Sequence, residues 1–82
     1  MKDTREILDE LRRNPKGVRF RDLAGVCDAC FGQPRQRSGS HRVYRTPWPG
    51  DPRVNIQNAK GMAKPNQVRQ VIRAIEKLEE MR

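Results

Sequence analysis

The chain reads as an α+β domain, a three-stranded antiparallel sheet with helices packed on one face, in the order helix, helix, strand, strand, strand, helix. Three observations predict it. Apolar residues recur at helical spacing in two stretches, 23–31 and 68–78. Between them the pattern changes to an alternation of period two, as in half-buried strands. Prolines and glycines separate these stretches where a chain must turn. At 82 residues the whole, 1–82, makes one domain. With 34% hydrophobic residues its core must be compact, which leaves room for a stabilising partner.

The first helix opens at Asp3, which can cap it, with Glu6 three residues on completing a capping box. Ile7, Leu8 and Leu11 form its short apolar face. Asn14-Pro15-Lys16-Gly17 ends it, because proline pushes the preceding residue out of helical geometry. A second helix covers about Phe20 to Phe31. Its Leu23, Val26, Cys27, Cys30 and Phe31 fall at i, i+3, i+4, i+7 and i+8, and Gly32 is a natural stop.

Three strands follow. The first is Arg35–Ser38, and Gly39 sits at the turn. In the second, Ser40–Thr46, Arg42, Tyr44 and Thr46 share one face and His41, Val43 and Arg45 the other. In the third, Arg53–Asn58, Val54 and Ile56 face the core. The prolines of Pro47-Trp48-Pro49-Gly50-Asp51-Pro52 cannot donate to a sheet ladder, so they bound the strands on either side. Residues 60–64 read as a linking loop. Pro65 suits the first turn of the last helix, whose stripe is Val68, Val71, Ile72, Ile75 and Leu78.

Charge separates the function classes. The chain holds 18 Lys and Arg against 10 Asp and Glu, a net +8. Residues 33–64 contribute seven basic side chains (Arg35, Arg37, Arg42, Arg45, Arg53, Lys60, Lys64) against the single acid Asp51, so six of the eight excess charges lie there. A concentrated, mostly arginine field attracts phosphate, and this favours nucleic acid over a merely solubilising surface. No apolar run approaches the roughly 20 residues of a membrane span, and no signal-peptide pattern opens the chain, so the expectation is a cytoplasmic protein without a membrane partner.

Cys27 and Cys30 form a CxxC pair. A structural zinc needs four ligands, and these thiols with His41 supply three, so no metal or other cofactor is expected. Both cysteines fall on the apolar stripe of the second helix, where small hydrophobes belong.

The run Ser38-Gly39-Ser40-His41-Arg42-Val43-Tyr44 resembles the motif of HicA toxins, in which Gly-Ser-His opens a strand and an aromatic follows. The proline-bearing turn, the Val-x-Ile strand, the basic loop and the amphipathic last helix follow in that family's order, over roughly residues 35–78. Where many members carry a second histidine, this chain has Arg42, and its second helix is extra relative to the shortest members. The resemblance implies a fold like that of double-stranded-RNA-binding domains. It also implies cleavage of mRNA without a metal, as an mRNA interferase, and neutralisation by a HicB-like antitoxin protein.

On this reading His41 is the catalytic residue, since histidine ordinarily titrates near neutrality and suits general base work on a 2′-hydroxyl. Arg37, Gly39, Ser40, Arg42, Arg45, Lys60 and Lys64 are the candidate RNA-binding residues, the glycine allowing close approach and the cations stabilising phosphate charge. Ser40 orients His41, holds a phosphate or stabilises the turn. Lys60, Lys64 and Tyr44 are the candidates for a second proton-transfer group. Trp48 is either a stacking platform for a base or a cover for the core edge. The competing reading is a non-catalytic RNA- or DNA-binding module on the same surface. A redox or metal protein built on the cysteines is a third.

Overall fold

The computed structural model describes residues 4–38, 40–48 and 53–81. Helix α1 spans Thr4–Arg13 and gives way to a 3-10 turn at Pro15–Gly17; helix α2 spans Phe20–Phe31. Strands β1 (Gln36–Ser38), β2 (His41–Arg45), β3 (Arg53–Ala59) and β4 (Met62–Ala63) precede helix α3, Pro65–Glu80. The α+β class with helices on the sheet is as the sequence predicts, and the element order matches it apart from the 3-10 turn and the short strand β4. The capping residue Asp3, the turn glycine Gly39 and the 49–52 turn lie outside the described residues.

The sheet is an antiparallel meander in the order β1-β2-β3-β4. Its fourth strand departs from the expected linking loop. Lys60 and Gly61 both adopt positive φ (55° and 88°), which closes a two-residue hairpin of the type that matches strand twist. The Asn58 side chain accepts from the Gly61 N–H at 2.6 Å. Met62 and Ala63 then pair with Ala59 and Asn58. On their other side, the Phe20 N–H donates to the Gly61 carbonyl at 3.0 Å, and the Ala63 N–H donates to the Val18 carbonyl at 2.9 Å. A two-residue strand is too short to display alternation; pairing on both flanks creates it.

Helices α2 and α3 pack on the sheet and α1 packs against α3, around a core that includes Leu23, Cys27, Tyr44, Ile56, Val68 and Val71. On α2 the buried stripe is Phe20, Leu23, Ala24 and Cys27. Val26, Cys30 and Phe31 are only half-buried, so the helix is rotated slightly from the face its spacing predicts. Gly32 ends α2 with φ 83°, its N–H donating to the Asp28 carbonyl. The Arg12–Glu76 ion pair ties α1 to α3.

Cys27 carries a thiol that is fully buried, and burial pushes its pKa well above the ordinary range. It is a core side chain, held away from thiolate chemistry.

Candidate functional site

The parity of β2 decides which side chains meet. His41, Val43 and Arg45 point away from the helices; Arg42 and Tyr44 point toward them. In register, His41 lies opposite Gln57, Val43 opposite Asn55 and Arg45 opposite Arg53. The outer face of the sheet's centre therefore carries His41, Arg45, Arg53, Asn55 and Gln57 around the half-buried Val43. Among the described residues of β2 and β3, no acid lies on it.

His41 occupies the first position of β2, exposed, at the corner after the first turn. The Ser40 hydroxyl stands 3.5 Å from its Nδ1. The Ser40 carbonyl is itself fixed, accepting from the Asn58 N–H at 2.7 Å. Asn58 also holds the Lys60–Gly61 turn through its side chain, so both turns at this end of the sheet are tied to one residue. Lys60 thus sits at the same end of the sheet as His41. Lys64 comes one residue after the Asn58–Ala63 pair, where α3 begins. There the Gln67 side-chain carbonyl accepts from the Gln57 N–H at 2.8 Å and closes the ladder beside the histidine row.

Among the candidate RNA-binding residues, Ser40, Lys60 and Lys64 share the His41 end of the sheet. Arg45 shares its outer face, four residues away along the strand. Arg37 is paired in register with Arg42, and only its backbone is described. Gly39 lies outside the described residues.

Arg42 is turned the other way. Its guanidinium is 3.8 Å from an Asp28 carboxylate oxygen and lies over the Phe20 ring, 5.6 Å from the centroid. It fastens α2 to the sheet from the core side and does not join His41. A partly exposed pair of this kind contributes about 0.5–1 kcal/mol and the ring contact a similar amount. Arg42→Ala is expected to lower unfolding stability by about 1 kcal/mol, measured by denaturant titration.

Tyr44 likewise leaves the list of proton-transfer candidates. It is fully buried, on the face opposite His41, and its hydroxyl donates to Asp28 Oδ1 at 2.7 Å. Burial, reinforced by the hydrogen bond to the carboxylate, pushes its pKa up to about 12. The protonated phenol is the form the fold holds. Its stabilisation is fully present below the ordinary tyrosine pKa of about 10 and is lost as pH rises through about 12. Because the chain has one tyrosine, a spectrophotometric pH titration reads this group alone. Phenolate absorbance is expected near pH 12, together with loss of helical circular dichroism.

Trp48, the other residue with two readings, packs against the core, and the Lys77 ammonium lies 4.9 Å from its ring centroid. That placement is the core-edge cover. Among the described residues no group of three His, Cys, Asp or Glu side chains is arranged to hold a metal ion. Among the same residues no helix is long and apolar enough to cross a membrane.

What sequence reasoning missed is Asn58. Its signal was present, an Asn two residues before a Lys-Gly pair, but its dual role needs β2 alongside. Compared with protein-family models, curated proteins and solved structures, the chain matches none.

Proposed function

We propose that the protein is an endoribonuclease of the HicA toxin kind, cleaving mRNA with His41 as general acid/base and held in check by a HicB-like antitoxin in the cytoplasm. The observation that supports it best is the setting of His41. It is exposed at a sheet corner, on a face whose described β2 and β3 residues include no acid, with Ser40 at Nδ1 and Nε2 left for a substrate. Which nitrogen carries the proton decides the role: with Nδ1–H donating to Ser40, Nε2 is a lone pair and acts as base.

The chemistry follows from the residues. Nε2 takes the proton of an RNA 2′-hydroxyl as that oxygen attacks the adjacent phosphorus. The bond from phosphorus to the 5′-oxygen breaks, and that oxygen takes a proton. The products are a 2′,3′-cyclic phosphate and a 5′-hydroxyl, and no bond is oxidised or reduced. Lys60 and Lys64, on the same end of the sheet, stabilise charge on the phosphate and are the remaining candidates to assist the leaving oxygen. The family resemblance implies that no metal takes part.

The test is cleavage of RNA in chelator by the purified protein beside His41→Ala, with product ends identified. Wild-type protein is expected to leave cyclic-phosphate ends and the variant to leave RNA intact. Salt-sensitive binding without cleavage by the wild type would instead favour a non-catalytic binding module.

A further inference from the structure

The register of the sheet reaches one position past its last paired strand. Asn58 pairs with Ala63 and Ala59 with Met62, so the next step of the ladder sets Lys64 beside Gln57. Gln57 in turn lies opposite His41. Ala63 is buried on the helix side, and Lys64 keeps an extended backbone (φ −74°, ψ 131°), so its side chain leaves on the outer face. His41, Gln57 and Lys64 therefore form one row across three neighbouring segments. At the spacing of strands the two ends of that row are about 10 Å apart, backbone to backbone.

The paired ladder itself stops at Ala63. The Lys64 carbonyl accepts from the Gln67 N–H at 2.9 Å and the Val68 N–H at 3.0 Å, which starts α3. The Gln57 N–H, which a continued ladder would pair with residue 64, donates instead to Gln67 Oε1 at 2.8 Å. Without that oxygen a half-buried backbone donor would lose its partner. One residue thus grips both neighbours, Lys64 through its backbone N–H and Gln57 through its side chain.

Lys64 is half-buried, and among the described residues its ammonium has no hydrogen bond, ion pair or ring contact. The acids outside the described residues belong to segments anchored elsewhere. Asp51 precedes Arg53, which lies four residues, about 13 Å, along β3 from Gln57. Asp3 precedes α1, whose Arg5 lines a cleft with Glu79 at the opposite end of α3 from Lys64.

We infer that Gln67 is a positioning residue, which locks Lys64 into the row of Gln57 and His41 so that the ammonium and the imidazole close on one phosphate. On the ribonuclease reading, which supplies the substrate, that phosphate is the scissile one. His41 Nε2 takes the 2′-hydroxyl proton, and the ammonium offsets the charge that grows on the non-bridging oxygens during attack. Lys64 touches the phosphate; Gln67 acts only through Lys64.

The probe is a 2′-O-methyl uridine dinucleotide, which carries one phosphate, lacks the attacking hydroxyl and cannot be cleaved. Its binding is followed by NMR through the ring signals of His41, the single histidine. The proteins are wild type, Lys64→Ala, Lys64→Arg, Gln67→Met and the double variant Lys64→Ala/Gln67→Met. Methionine keeps the length of glutamine and deletes the acceptor. Lys64→Ala is expected to bind about tenfold more weakly, the worth of one hydrogen bond to a charged group. Lys64→Arg keeps the cation and is expected to recover most of that loss. Gln67→Met is expected to lose about threefold, as for one neutral hydrogen bond, and the double variant to bind no more weakly than Lys64→Ala alone. RNA cleavage by Lys64→Ala is expected to fall about 10²-fold in kcat.

Wild-type His41 signals unmoved by the dinucleotide, or equal affinity in wild type and Lys64→Ala, would overturn the shared phosphate whether or not RNA is cleaved. A double variant weaker than Lys64→Ala would overturn positioning by Gln67, because the glutamine would then act independently of the lysine. Lys64-dependent binding by a wild-type protein that leaves RNA uncut would remove the ribonuclease reading and leave the row standing.

Discussion

His41→Ala is expected to lower RNA cleavage by about 10²–10⁴-fold, the range that positioned acid–base groups contribute, while leaving the fold intact. The side chain is exposed at the first position of β2, and its backbone pairing with Ser38 and Gln57 does not depend on the ring. Removal therefore costs little stability, and surface substitutions of this kind usually stay within about 0.5 kcal/mol. The two measurements needed are the cleavage rate under saturating RNA and a denaturant titration. A loss in rate with unchanged affinity for a non-cleavable oligonucleotide places the effect in the chemical step. A variant that cleaves at the wild-type rate would remove His41 from the mechanism. On the proposed toxin reading, the wild-type protein expressed without an antitoxin is expected to arrest growth and the variant is not.

Tyr44→Ala is expected to be the most damaging single change to the fold. Tyr44 is fully buried between β2 and α2, with the Phe31 ring centroid 6.5 Å away. Truncating a buried aromatic to alanine costs about 3–5 kcal/mol. An 82-residue domain has about 4–12 kcal/mol in all, so the variant is expected to be largely unfolded at 37 °C. Tyr44→Phe separates packing from hydrogen bonding. It keeps the ring and deletes the hydroxyl that donates to Asp28 and to the Ala24 carbonyl. Its cost is expected at about 1–2 kcal/mol, because Asp28 is partly exposed and regains water. Circular dichroism melts of the two variants give the comparison. Equal losses would mean that the polar contacts, and not the ring, hold α2 on the sheet.

The two expectations concern opposite faces of one strand. Its alternation already separates His41, Val43 and Arg45 from Arg42, Tyr44 and Thr46, because successive strand residues point to opposite sides. What that alternation cannot supply is a partner. Arg42 belongs with the basic residues by composition and charge density, and only the packing of α2 brings Asp28 and Phe20 beneath it. Proximity in sequence to His41 was therefore a poor guide, since adjacent strand residues are the pair that face apart. Arg53 shows the converse. Eight residues after Arg45 in the chain, it becomes that residue's direct neighbour through the antiparallel return of β3.

The sequence by itself determined the α+β class, the extents of α2 and α3, their glycine stop and proline start, and the alternation of the central strands. These are local properties: spacing on a helix, parity on a strand and backbone restriction at proline and glycine need no distant partner. Tertiary structure decided the rest. It made a strand of Met62–Ala63 by hydrogen bonds on both flanks, tied two turns together at Asn58, turned Arg42 and Tyr44 onto Asp28, and set Arg45 against Arg53. Each is a pairing between residues far apart in the chain, and its energy exists only once the sheet has chosen its register and the helices their face.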